Sequence, residues 1–212
     1  MLKTLVVTDF VGVVKFSSSA TQLCGGGSVI SCGSLSRATS ANVQALIKMV
    51  SALTEGGSTN IEAGMRVGLN LFTANAEMTS NCKQIPAADH TNIPVVNSLA
   101  IPAVHPAVIT GRRALLFLTD GIPTVGEVNA PKLVALVKGF NAKPNAVLFT
   151  FSLGSNAQQT QLDVIEGIAC VGNGVAAKVI DGGNLVSQMS HYYSYFASIN
   201  QIDKTPTVGW VS

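Results

Sequence analysis

Ala114-Leu-Leu-Phe-Leu-Thr-Asp-Gly121 is the stretch on which the fold turns: five apolar residues with no alternation, closed by Thr119, Asp120 and Gly121. A short, continuous apolar run bounded by turn signals reads as a strand buried on both faces, as strands of a parallel sheet are. Such a strand delivers the Asp120 carboxylate at its C-terminal end. Downstream, Pro131 at a first helical turn with Leu133, Leu136 and Val137 behind it predicts a helix. Ala146 to Ser152 predicts a second buried strand, Gln158 to Ala169 a helix, Ala176 to Asp181 a last strand and Leu185 to Ile199 a last helix. Strands separated by helical crossovers imply a doubly wound, mostly parallel α/β sheet.

Upstream, Val11-Gly-Val-Val-Lys-Phe16 is a β-branched run ended by Ser17-Ser-Ser19. Ala20 to Leu23 returns beside it as a hairpin before Gly25-Gly-Gly27 breaks the pattern. From Ser40 to Leu53 the residues Val43, Leu46, Ile47, Val50 and Leu53 recur at helical spacing, with Ser40 as N-cap and Gly56-Gly57 as the stop. A second helix is expected from Ile61 to Phe72. Residues 79–111 carry four prolines and no sustained periodicity, which is too long for an ordinary connection and reads as an insertion before the Ala114 strand. Its residues Ile93, Val95, Val96, Leu99, Ile101 and Val104 offer an apolar patch to a neighbouring subunit or domain, or else pack on their own domain.

A length of 212 residues suits one domain, or one domain with a decorated loop. Hydrophobic residues make up 47% and charged residues 11%, against roughly a quarter charged in an ordinary soluble domain. That surface suits packing into a larger assembly. The formal charge is +2, with no Lys/Arg cluster, so nucleic-acid binding is not expected. No apolar run reaches the roughly eighteen residues of a membrane span, because Ile93 to Ile109 is broken by Pro94, Asn97, Pro102, His105 and Pro106. The first nine residues do not form a signal peptide, so any export signal is expected upstream.

Cys24 and Cys32 flank the Gly-rich loop and are expected to close it as a disulfide, with Cys82 and Cys170 as the second pair. Three pairings are possible in principle, and buried free thiols are the alternative. Gly25-Gly-Gly27 lacks the strand-to-helix setting of a phosphate cradle. His90, His105 and His191 are scattered and lack companions at metal-ligand spacing. With no paired acid and base and no nucleophile set, an enzyme is not expected.

In a doubly wound sheet, ligands bind beyond the C-terminal ends of the strands. Two loops belong there: Gly56-Gly-Ser-Thr-Asn-Ile-Glu-Ala-Gly64 and Leu118-Thr-Asp-Gly-Ile-Pro-Thr124. Together they resemble two of the three loops of the metal-ion-dependent adhesion site of von Willebrand factor A domains. Asp9-Phe-Val-Gly-Val-Val-Lys-Phe-Ser-Ser18 resembles that family's second strand and its entry. The resemblance covers nearly the whole chain and implies that Thr59 and Asp120 help hold Mg²⁺, Mn²⁺ or Ca²⁺, supported by Ser58, Asn60, Gly121 and Thr124. Thr and Asp also cap helices and turns throughout proteins, and that is the plain alternative for both. A hard cation with part of its shell left open takes a partner's carboxylate, so the implied function is binding to protein partners by an extracellular or cell-surface protein. A structural subunit with no working ion site is the alternative.

The third loop of that site, Asp-x-Ser-x-Ser, is not in this sequence, and neither is the strand that carries it. Residues 2–8 align with the last turn of the family's first helix. By the family's strand order, 3-2-1-4-5-6, a gap opens between the Val11–Phe16 and Ala114–Leu118 strands. Each buried backbone group left unpaired there costs about 1–3 kcal/mol. Sequence before Met1, a strand donated by another chain, or Leu5 to Val7 as a stunted substitute would fill it.

A narrower resemblance, to the A domain of the alpha-two-delta auxiliary subunits of voltage-gated calcium channels and similar proteins with an adjoining Cache domain, rests on four segments. These are Val147-Leu-Phe-Thr-Phe-Ser-Leu-Gly154, Gly167-Ile-Ala-Cys-Val-Gly-Asn-Gly174, Tyr192-Tyr193 and Gly209-Trp-Val-Ser212. It divides the chain into an A-type domain over 1–199 and a linker or Cache-like start over 200–212. Deleting residues 90–108 is expected to leave the melting temperature nearly unchanged if the insertion serves a partner; a large fall in thermal denaturation would assign it to the domain's own core.

Overall fold

The computed structural model describes residues 2–25, 30–54, 56–80, 113–154 and 159–180. The expected helix at 185–199, the tail at 200–212, and the insertion with Cys82 and the candidate interface residues Ile93, Val95, Val96, Leu99, Ile101 and Val104 lie outside them.

Leu2–Thr4 forms one turn of 3-10 helix, so the helical stretch expected over residues 2–8 is confined to its first half. Leu5 to Val7 is not a strand. The Val6 amide donates to the Asp9 carboxylate at 2.9 Å and the Asp9 amide returns to the Val6 carbonyl at 2.8 Å, closing a turn that leaves Val6 and Val7 58% and 57% exposed. Four short strands follow: β1 (Phe10–Val11), β2 (Val14–Phe16), β3 (Ala20–Gln22) and β4 (Ser36–Arg37). β2 and β3 make the expected antiparallel hairpin, with Lys15 opposite Thr21. The run from Val11 to Phe16 is not one strand, however, because β1 turns away to pair with β4. The chain bends at Gly12, where a Cβ would fall 2.8 Å from Leu71 and 3.0 Å from Leu35. Only glycine lets the backbone pass that close.

Helix α1 spans Ser40–Ser51. Its N-cap is Thr39 rather than Ser40: Thr39 is extended, and its hydroxyl accepts the Asn42 amide at 3.2 Å. Val43 and Leu46 are buried while Val50 and Leu53 are exposed, so only the first half of the apolar stripe meets the core. The helix stops at Ala52, ahead of Gly56. Helix α2 runs Ile61–Ser80, beyond the expected end at Phe72. Ile61, Met65 and Leu69 recur every four residues on one fully buried face.

β5 (Ala114–Thr119), β6 (Val147–Leu153) and β7 (Ala176–Val179) form a parallel sheet in that order, with Leu116 opposite Phe149 and Phe151 opposite Ala177. The crossovers are α3 (Ala130–Asn141) and α4 (Gln159–Val171). Asn129 caps α3 by accepting the Lys132 amide, with Pro131 in the first turn as expected. α3 and α4 pack on each other, and α2 packs on α3. Ile61, Met65, Leu69, Phe117, Leu133, Val137, Leu148, Val164 and Ile168 join in one core cluster, while Phe149, Phe151 and Val179 form a second with Leu116 and Leu118 beside them. Buried polar groups are paired: Asn141 exchanges two hydrogen bonds with Ala146, and the Thr150 hydroxyl donates to the Ile165 carbonyl.

β6, flanked by β5 and β7, is buried at its five inner residues, but β5 is fully buried only at Phe117 and Thr119. Among the described residues, β5 pairs along its β6 edge alone and β2 pairs with β3 alone. The hairpin and the parallel sheet therefore meet without a shared ladder, at the place where the expected gap falls. The rings of Phe16 and Phe117 stack there, with centroids 5.1 Å apart.

Cys24 and Cys32 are disulfide-bonded, as expected. Cys170 is an exposed free thiol, and its expected partner Cys82 is outside the described residues. No helix among the described residues is long and apolar enough to cross a membrane. Leu133 is fully buried between α3 and the core, so Leu133→Ala is expected to cost about 2–5 kcal/mol in urea unfolding. A loss under about 1 kcal/mol would mean that α3 does not close this core.

Candidate functional site

The loop at 56–60 lies between the hairpin and the parallel sheet and is bonded to both. On one side the Asn60 amide donates to the Ser17 carbonyl at 2.7 Å, and its side-chain Nδ2 donates to the Ser18 carbonyl at 3.0 Å. On the other, the Thr59 amide donates to the Thr124 hydroxyl at 2.9 Å, and the Thr59 carbonyl accepts the amides of Thr124 at 2.9 Å and Val125 at 3.3 Å. The two loops singled out in the sequence therefore sit together at the C-terminal end of β5, where strand-end ligands bind in doubly wound sheets.

The Thr59 side chain presses against the turn after β5: a Cβ on Gly121 would fall 2.8 Å from Thr59 Oγ1. Thr119 Oγ1 braces the same turn, donating to the Gly121 carbonyl at 3.1 Å and accepting its amide at 3.3 Å. Asp120 between them is exposed, and among the described residues no hydrogen bond or ion pair engages its carboxylate. Ser58 is half-buried. Asn60 is committed elsewhere, since its Oδ1 accepts the Ala63 amide at 2.9 Å and so caps α2.

Three contributors were not legible in the sequence. The turn at Ser17 and Ser18 reaches the loop through its carbonyls, which no side-chain motif announces. Gly126 adopts φ +77°, with a Cβ position only 2.6 Å from Asn60 Oδ1. Glu62, in the first turn of α2, accepts the Glu127 amide on Oε2 at 2.9 Å and pairs with Arg66 on Oε1. Thr59-x-x-Glu62 has the spacing of a capping box, yet Asn60 takes the cap and frees Glu62 to reach across to the β5–α3 loop. The Glu127 amide, and then Arg66, hold the Glu62 carboxyl below the ordinary glutamate range against a smaller opposing effect of desolvation. Arg66 in turn lies over the Phe140 ring, 4.7 Å from its centroid.

Thr59 hydroxyl and Asp120 carboxylate are oxygen donors of the kind a hard cation takes. Among the described residues no three His, Cys, Asp or Glu side chains converge to hold a metal, so the donor set fits Mg²⁺ or Ca²⁺ in kind and supplies only part of a shell.

Among solved structures, the chain is similar to a von Willebrand factor type A protein from Catenulispora acidiphila, with a TM-score of 0.53 and 14% sequence identity over 84% of this chain. The fold is von Willebrand factor A-like. The match covers 31% of that protein, so this chain corresponds to under a third of the neighbour's length. No family profile matches the sequence, and no curated protein matches it. Nothing in these comparisons singles out the calcium-channel alpha-two-delta A domain within the von Willebrand factor A-like fold.

Gly126→Ala places a side chain at positive φ against Asn60. It is expected to destabilise the chain by roughly 1–3 kcal/mol, read as a lowered melting temperature, and an unchanged melting temperature would contradict the close approach of this loop to α2.

Proposed function

We propose that this chain is a non-enzymatic protein-binding module that presents Thr59 and Asp120 to a partner around a divalent cation, Mg²⁺ or Ca²⁺. The observation that carries the reading is the exposed Asp120 carboxylate, unengaged among the described residues and followed in the chain by Gly121, against which the Thr59 hydroxyl packs, on loops fixed by hydrogen bonds. A carboxylate held at a strand end without a partner is arranged to meet a cation. The remaining positions of the shell fall to groups beyond this pair, one of them an acidic group on the partner. Binding is then the output, and the rigid loops serve it by limiting the ordering cost at association. The Cys24–Cys32 disulfide supports placing the module in an oxidising, extracellular or cell-surface setting.

A second reading, a structural subunit of an extracellular or membrane-associated assembly, is favoured by a different observation. β5 is as apolar as β6, yet among the described residues it is paired on one edge only. An apolar edge of that kind invites another strand.

Calorimetric titration of the chain with Mg²⁺ and with Ca²⁺ tests the first reading. Binding in the range of about 10⁻⁴–10⁻³ M, weakened at least tenfold or so by Asp120→Ala, is expected. Absence of cation binding by the wild-type chain, or binding untouched by Asp120→Ala, would overturn it in favour of the structural role.

A further inference from the structure

The segment from Gly121 to Asn129 has no regular structure of its own, yet it must hold Asp120 and Thr124 in register with Thr59. Near β5 it is tied by the three Thr59 bonds. Farther along, the tie to α2 is the Glu62 carboxylate: Oε2 accepts the Glu127 amide at 2.9 Å and stands 3.2 Å from where a Gly126 Cβ would be. Glu127 then turns the chain into α3 by accepting the Asn129 amide on Oε1 at 2.8 Å. Glu62 is only three residues from Thr59 and lies in the first turn of a helix whose buried face is fixed in the core by Ile61 and Met65. A carboxylate on so rigid a base fixes whatever it binds.

We infer that Glu62 is the positioning residue of the ion face: by clamping the Glu127 amide to the start of α2 it sets the path of the 121–127 loop and, through it, the separation of Asp120 from Thr59. Arg66 steadies the Glu62 side chain from the next turn while stacking on Phe140, and among the described residues no hydrogen bond joins it to the loop. This role deepens the cation-binding reading and rests on it. The clamp itself is a property of the folded chain and can be read without any ion.

Two measurements on the same variants separate the two ideas. In amide hydrogen exchange, Glu62→Ala is expected to speed exchange at Glu127 by about tenfold or more, with the amides of Met65 and Leu69 unchanged as a control for folding. Glu62→Gln, which keeps an oxygen acceptor, and Arg66→Ala, which leaves the carboxylate in place, are expected to stay close to the wild type. In calorimetric titration with Mg²⁺, Glu62→Ala is expected to weaken binding several-fold while Glu62→Gln restores it. Unchanged exchange at Glu127 in Glu62→Ala overturns the clamp. Faster exchange with undiminished Mg²⁺ affinity overturns its positioning role. A wild-type chain that takes up no Mg²⁺ overturns the cation reading, and the exchange data alone then decide the clamp.

Discussion

Helix α2 is the element on which the architecture depends. Among the described residues the β2–β3 hairpin and the β5–β6–β7 sheet share no ladder, so no backbone hydrogen bonding between strands makes them one body. α2 packs on both. Its buried face of Ile61, Met65 and Leu69 enters the core that Phe117, Leu133 and Leu148 complete, while Phe16 reaches the same core from the hairpin. Gly64 and Gly68 let this happen at close range, because a Cβ at either would press on Phe16 at 3.0 Å or on Leu115 at 2.9 Å.

The same helix organises the polar end of the molecule. Asn60 caps it and, by two further hydrogen bonds, holds the turn after β2; Thr59, just before the cap, holds the turn after β5. Glu62 extends the grip to Glu127. Thr59, Asn60 and Glu62 thus spend their hydrogen-bonding capacity on fixing loops, while the Asp120 carboxylate is left unengaged among the described residues.

The unequal burial of β5 and β6 goes with their unequal pairing among the described residues. The two have similar apolar sequences, Ala114-Leu-Leu-Phe-Leu118 and Val147-Leu-Phe-Thr-Phe151. With strands on both sides, β6 is enclosed; with one neighbour, β5 leaves Ala114, Leu116 and Leu118 only partly covered. Composition sets what a strand can tolerate, and neighbours decide what it receives.

The sequence by itself determined the alternation of strands and helices from Ala114 to Val179, the hairpin at Val14–Gln22 and the two loops that face each other, because apolar periodicity, proline at a helix start and short polar loops are local signals. It also determined that Cys24 and Cys32 close a loop, since they are near in the chain. The tertiary structure decided the rest. Periodicity put Val50 and Leu53 on the apolar stripe of the helix, yet among the described residues both are left exposed. It gave Val11 to Phe16 as one strand, yet β1 pairs with β4 and β2 with β3, and the chain between them passes close to Leu71 of α2 at Gly12. The partners of Thr59, Asn60 and Glu62 lie up to 66 residues away in the chain, as from Thr59 to Val125. A hydrogen bond across that separation leaves no trace in local pattern, which is why the motif identified the residues of the site and only the fold assigned their roles.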